Sequence, residues 1–237
     1  MTYHLSMPYR KVSFAENEYY HIFNRGNRKQ EIFRDDYDRA RFLFLLLYFQ
    51  SPKILTNAPR HAAAYLKNGN FKIRMSVIEE ILRSRTLILS IFALMDNHFH
   101  LLVQALTDIG ISNYMQKVLN GYTKYFNAKY SQTGHLFQGP FKAVHIKNNG
   151  QLLYTSAYIH RNPREIRGWK NKEHTYQWSS YTDYVKENRW EELLGQKVIT
   201  EQFKNPTDYH KWVKTSGAKS LDDLPEEHVN ELIRFNE

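Results

Sequence analysis

The stretch from Thr86 to Gln104 limits the possible folds of this chain more than any other. Thr86–Met95 (TLILSIFALM) is a continuous apolar run suited to a buried strand. Asp96-Asn97 carries turn chemistry, and His98–Gln104 (HFHLLVQ) returns as a second strand. The pair predicts an antiparallel hairpin inside a sheet.

Elements on either side extend the pattern. Glu18–Asn24 (EYYHIFN) reads as an aromatic-rich strand closed by the turn Asn24-Arg25-Gly26-Asn27. Asp35 and Asp36 are suited to cap a helix reaching about Gln50, with Phe42, Leu43, Leu46 and Leu47 at helical spacing. Residues 51–85, punctuated by Pro52, Pro59 and Gly69, read as an insertion or helical excursion, with a short helix over Ser76–Arg85. Ser112 is placed as the cap of a long helix to about Tyr130, its apolar stripe running through Met115, Val118, Tyr122, Tyr125 and Phe126. Phe141–Lys147 reads as a further strand. A final helix runs from about Asn149 toward Asn162, where Pro163 stops it.

The order β-α-β-β-α-β predicts an α+β, ferredoxin-like antiparallel sheet with helices on one face. A C-terminal helix and a helical tail follow. The expected organisation is one domain over 1–184, with 51–85 inserted, and a tail over 185–237.

Composition narrows the function. The net charge is +9 and the pI about 9.5, which favours a polyanionic partner, chiefly nucleic acid. Seventeen Tyr and fourteen Phe supply rings for the core and for stacking on unpaired bases. The absence of cysteine removes disulfides, thiolate metal sites and a thiol nucleophile, and is compatible with a reducing cytoplasm. The first residues, MTYHLSMPYRKVSF, hold no apolar signal core, and no run reaches the length of a membrane span. HExxH, Walker-type and GxSxG motifs are missing, so zincin, P-loop and α/β-hydrolase chemistry lack support.

Two constellations could carry chemistry. His98 and His100 are two apart in a strand, so both imidazoles project from one face and could reach one metal ion, while Phe99 points to the other. Alone, such a pair is more often an ordinary pair of sheet histidines. In AYIHRNP, Tyr158 and Asn162 lie four apart on a helix and share a face. Tyr158 could act as nucleophile, with the Asn162 carbonyl oxygen as a nearby metal ligand. Spacing alone equally allows a packed tyrosine and a helix-ending asparagine. Tyr122 and Tyr125 are rival nucleophiles, but their apolar stripe favours core packing.

Taken together, these segments resemble the HUH single-tyrosine transposase family, in its REP-associated tyrosine transposase branch. The likeness runs through YHIFNRGN (Tyr20–Asn27), MDNHFHLLVQ (Met95–Gln104) and YMQKVLNGYTKYFNAKY (Tyr114–Tyr130). It continues through GHLFQGPFKA (Gly134–Ala143), YIHRNP (Tyr158–Pro163) and WSSY (Trp178–Tyr181), covering most of the chain from Tyr19 to Tyr184. The resemblance implies Tyr158 as catalytic tyrosine, His98 and His100 as metal ligands, and Asn162 as the polar residue one helical turn later. Many relatives carry glutamine there, a longer side chain. It also implies Mg²⁺ or Mn²⁺ as cofactor and single-stranded or hairpin DNA, such as palindromic repeats, as substrate. The expected product is a covalent 5′-phosphotyrosine.

Arg25, Arg28, Lys29, Lys117, Lys124, Lys142 and Lys147 are the expected nucleic-acid contacts. A cytoplasmic monomer or homodimer without membrane attachment is expected. The alternative reading is a non-enzymatic single-stranded nucleic-acid-binding module on a ferredoxin-like sheet, though the RNP1 pattern is absent. A replication-initiation nuclease of the wider HUH class is a third reading, disfavoured by YIHRNP and GHLFQGPFK.

Overall fold

The structure is a computed structural model that describes residues 12–53 and 55–218. The expectations for the extreme N-terminus and for the end of the tail lie outside the described residues.

Four strands form one antiparallel sheet: β1 (Tyr19–Arg25), β2 (Leu87–Leu94), β3 (His98–Ala105) and β4 (Lys142–Ile146), in the order β2-β3-β1-β4. Helices α1 (Asp36–Tyr48), α2 (Ala58–Asn68) and α3 (Met75–Ser84) lie between β1 and β2, so the 51–85 stretch is two helices. Helix α4 (Gly110–Tyr130) joins β3 to β4, and α5 (Asn149–Arg161) follows β4. The α+β, β-α-β-β-α-β order is therefore as expected. Short helices α6 (Tyr181–Val185), α7 (Lys197–Thr200) and α8 (Pro206–Thr215) end the described chain.

Residues directly opposite each other across strands point to the same face. The register pairs Phe23 with His100, Arg25 with His98 and His21 with Leu102. These side chains therefore share one face. Phe99, Leu101 and Val103 point to the other, where the ring of Phe42 on α1 sits 5.0 Å from Phe99 and Phe42 in turn meets Tyr122 on α4 at 4.9 Å. The main core thus fills the space between the sheet and α1/α4. Helix α5 packs on the opposite face, its Tyr158 ring 5.6 Å from that of His100. The sheet is a wall with structure on one side and the candidate chemistry on the other.

Local sequence explains the boundaries. Asp35 caps α1 by accepting from the Asp38 N–H at 2.8 Å. Ser112 does not cap α4: the helix begins at Gly110, which places Ser112 inside its first turn. Gly110 lies so close to the Thr86 carbonyl that a Cβ would approach the oxygen to 2.3 Å, and this contact pins the earlier start.

Strand β2 is an edge strand, yet nearly every residue in it is buried. Its outer edge is covered by the chain after α5. Leu94 N–H donates to the Trp178 carbonyl, Ser180 N–H to Phe92 and Gly195 N–H to Leu89, at 2.8–2.9 Å. The continuous apolar run of β2 follows from burial on both faces and along its edge. No helix among the described residues is long and apolar enough to cross a membrane.

Candidate nuclease site

Helix α5 starts where the sequence fixes it. Asn148 accepts from the Gln151 N–H at 2.9 Å, and Gln151 Oε1 accepts from the Lys147 N–H at 2.7 Å. This reciprocal cap ties the helix to the end of β4. Pro163, which has no N–H to donate, ends it, and the chain continues as a single 3-10 turn over Asn162–Glu165.

The side chains of YIHRNP divide around the helix. Tyr158 faces the sheet, its ring 5.6 Å from His100 and 5.9 Å from His21, both near-perpendicular contacts. His160 points away into the C-terminal region. Its Nδ1 lies 2.6 Å from the Tyr209 hydroxyl, its Nε2 lies 2.9 Å from Ser180 Oγ, and its ring stacks on Tyr181. Complete burial holds His160 well below the usual histidine pKa, so it is neutral. The helix that carries Tyr158 is thereby anchored to α6 and α8.

Tyr158 is buried, with 6% of its surface exposed. Burial raises its phenol well above the ordinary tyrosine value, and the Glu165 carboxylate pushes the same way. A hydrogen bond from Asn162 acts in the opposite sense. Asn162 is itself buried and donates from Nδ2 to the Tyr158 carbonyl at 2.9 Å, so Oδ1 is the atom through which it could meet a cation.

The histidine pair is held at both ends. His98 and His100 have ring centroids 5.1 Å apart. Asn97 donates from Nδ2 to the Lys29 carbonyl at 3.2 Å, which orients its Oδ1 toward His98 Nδ1 at 2.7 Å. His100 Nδ1 lies 2.9 Å from Nε2 of His21, a fully buried residue of β1. Sequence reasoning did not single out His21. Its partner stands 79 positions away, and only the β1–β3 register reveals the contact.

These donors suit a divalent ion completed by substrate. Both imidazoles have Nδ1 engaged, as metal-ligating histidines usually do, so Nε2 would be the atom each offers to an ion. Among the described residues no group of three or more His, Cys, Asp or Glu side chains is arranged to hold an ion alone. Two nitrogens and one amide oxygen would leave coordination positions for phosphate oxygens or water.

The expected cationic contacts separate into groups. A cleft of about 570 Å³ beside His98 is lined by Arg25, Lys29, Asp96, Glu165 and Arg167. Arg167 was not anticipated. Lys142 pairs with Phe23 and so points to the face of the histidines. Arg28 opens instead toward the C-terminal end of α4, beside Asn127. Lys117 and Lys124 are on α4, across the sheet from Tyr158, and Lys117 Nζ bonds the Pro52 carbonyl at 3.5 Å. Lys147 is exposed at the end of β4. A second groove of about 590 Å³ between α4 and the loop before β4 lies away from the histidine pair and has His135 as its sole titratable lining residue. Tyr122 donates to the Ile32 carbonyl and Tyr125 to Asp38, both on the core side.

Comparison with known proteins follows the same residues. The profile of the family described as "Transposase IS200 like" matches residues 57–162, a segment that includes His98, His100, Tyr158 and Asn162. A solved structure of a REP-associated tyrosine transposase bound to a REP hairpin is 13% identical, covering 76% of this chain and 86% of that one with a TM-score of 0.49. No curated protein matches the chain. Over residues 57–162 the chain is therefore similar to the IS200-like transposases.

Proposed function

We propose that this protein is a metal-dependent endonuclease and strand transferase acting on single-stranded or hairpin DNA in the cytoplasm, with Tyr158 as nucleophile. The carrying observation is the approach of the Tyr158 ring to His100 and His21 on the sheet face opposite the main core. The phenol oxygen attacks the backbone phosphorus, forming a P–O bond to tyrosine as the P–O3′ bond breaks. The phenol gives up its proton, the departing 3′ oxygen gains one, and the 5′ end stays on the protein. Attack by a 3′-hydroxyl reverses the exchange, and because the phosphodiester energy is retained, rejoining needs no ATP.

A phenol of raised pKa is a weak nucleophile, so it needs help at the phosphate. His98 and His100, with Asn162 as a third donor, would hold Mg²⁺ or Mn²⁺, which supplies charge stabilisation for the phosphate oxygens. The Asn162 hydrogen bond favours the phenolate, and the buried α5 anchor holds Tyr158 in place. Arg25, Lys29 and Arg167 would bind the DNA backbone along the cleft, with Lys142 on the same face and the remaining expected cations, Arg28, Lys117, Lys124 and Lys147, contacting more distant phosphates. Recognition of imperfect palindromes follows from the resemblance of the motifs.

The test is incubation with an end-labelled single-stranded hairpin oligonucleotide and Mn²⁺, followed by denaturing electrophoresis. A protein–DNA adduct that vanishes in Tyr158→Phe and with chelator is expected. Binding without an adduct over a range of hairpins would favour the non-enzymatic reading instead.

A further inference from the structure

His21 lies in YHIFNRGN but has been assigned no role above, and it stands outside the segment matched by the family profile. It is a completely buried, potentially ionisable side chain on the central strand β1, its ring 4.9 Å from Phe23, 5.1 Å from His100 and 5.9 Å from Tyr158. Its Nε2 meets His100 Nδ1 at 2.9 Å. Two neutral imidazole nitrogens at that distance share one proton, so one ring donates and the other accepts.

We infer that His21 is the positioning residue that fixes His100 in the Nδ1–H tautomer. His100 donates, His21 Nε2 accepts, and the His100 lone pair is presented from Nε2 toward the ion. The proposed ligation gives the reason for this direction, and the neighbouring histidine is set up in the same way. The Asn97 amide is oriented by its bond to the Lys29 carbonyl, so its oxygen faces His98 and requires the proton on His98 Nδ1. With His21 accepting, His100 has the same tautomer, and both rings offer Nε2. With His21 donating, the proton of His100 would sit on Nε2 and block ligation there. The position is also rigid: the β1–β3 register sets the approach, and both rings are packed among aromatics. An acceptor that orients a metal-ligating histidine commonly alters metal affinity about 10- to 100-fold.

The inference rests on the proposed role of His98 and His100 as metal ligands, and its test separates the two. Long-range ¹H–¹⁵N NMR of the metal-free full chain reads the His100 tautomer directly, and Mn²⁺ titration followed by electron paramagnetic resonance reads affinity. The wild type is expected to show His100 protonated on Nδ1. His21→Phe should lose the single tautomer and bind Mn²⁺ about 10- to 100-fold more weakly. His21→Gln, whose Oε1 can accept in place of Nε2, should keep the tautomer and recover most of the affinity. A wild-type His100 protonated on Nε2 overturns the inference, even if His21→Phe fails to fold. So does unchanged Mn²⁺ affinity in a folded His21→Phe, or a His21→Gln as weak as His21→Phe. A wild type that binds no Mn²⁺ while showing the expected tautomer counts against the metal-dependent reading alone.

Discussion

At the scale of single residues, the candidate site places the protonated phenol of Tyr158 against the imidazoles of the sheet. Removing one donor should therefore act on chemistry more than on binding. His98→Ala or His100→Ala is expected to lower the rate of adduct formation at least about 100-fold, a loss of several kcal/mol in transition-state stabilisation. Hairpin affinity in chelator should stay near that of the wild type, as a filter-binding titration would check. Equal loss of binding and rate would assign the pair a structural role. The shared face of His98 and His100 could be read from the sequence because a strand repeats every two residues, a strictly local rule. The placement of Tyr158 and Asn162 one helical turn apart was legible for the same kind of reason. His21 was not, since strand register over 79 positions is decided by the packed sheet. Arg167 escaped notice because it follows the motif on an irregular turn, where no periodicity assigns a face.

At the scale of elements, α5 has two faces with separate duties. One holds Tyr158 against the sheet, and the other holds His160 between Ser180 and Tyr209. The Tyr209 hydroxyl also bonds Ser156 at 3.3 Å. Tyr209→Phe removes that hydroxyl and leaves His160 Nδ1 buried without this partner, at a cost of about 1–3 kcal/mol. Urea unfolding should show a lower midpoint with an unchanged slope.

A second clamp joins α1 to α4. The fully buried Asp38 accepts from the Arg34 N–H, the Tyr125 and Tyr130 hydroxyls and the Lys129 ammonium. Asp38→Ala should destabilise by about 3–5 kcal/mol, because the ammonium and both phenols lose their shared acceptor. The helices themselves were readable from apolar spacing and caps. The start of α4 was not, because the close approach of Gly110 to Thr86 is a tertiary contact. Nor was the cover on the edge of β2, made by irregular chain with no period to follow.

At the scale of the whole molecule, charge and titration set the working conditions. The +9 chain should bind DNA with strong salt dependence. Lys29→Ala, in the cleft beside His98, is expected to reduce the slope of log affinity against log salt by about one.

Stability should also fall in acid. His160 is neutral and surrounded by hydroxyls and rings, and its folded pKa is far below its unfolded one. As pH drops below about 6.5 the unfolded chain takes up a proton that the folded chain refuses, so stability is complete above that value and declines below it. His210, beside Tyr181, is shifted in the same direction. Urea midpoints at neutral and mildly acidic pH should diverge in the wild type and less so in His160→Gln.

The central claim is that the phenol of residue 158 becomes covalently joined to DNA. Proteolysis of the adduct formed with a hairpin oligonucleotide, followed by nuclease trimming and tandem mass spectrometry, locates the linkage. The account predicts a 5′-nucleotide phosphate on Tyr158, in the peptide containing His160. A modified residue elsewhere, on Tyr122 or Tyr125 for example, would contradict it.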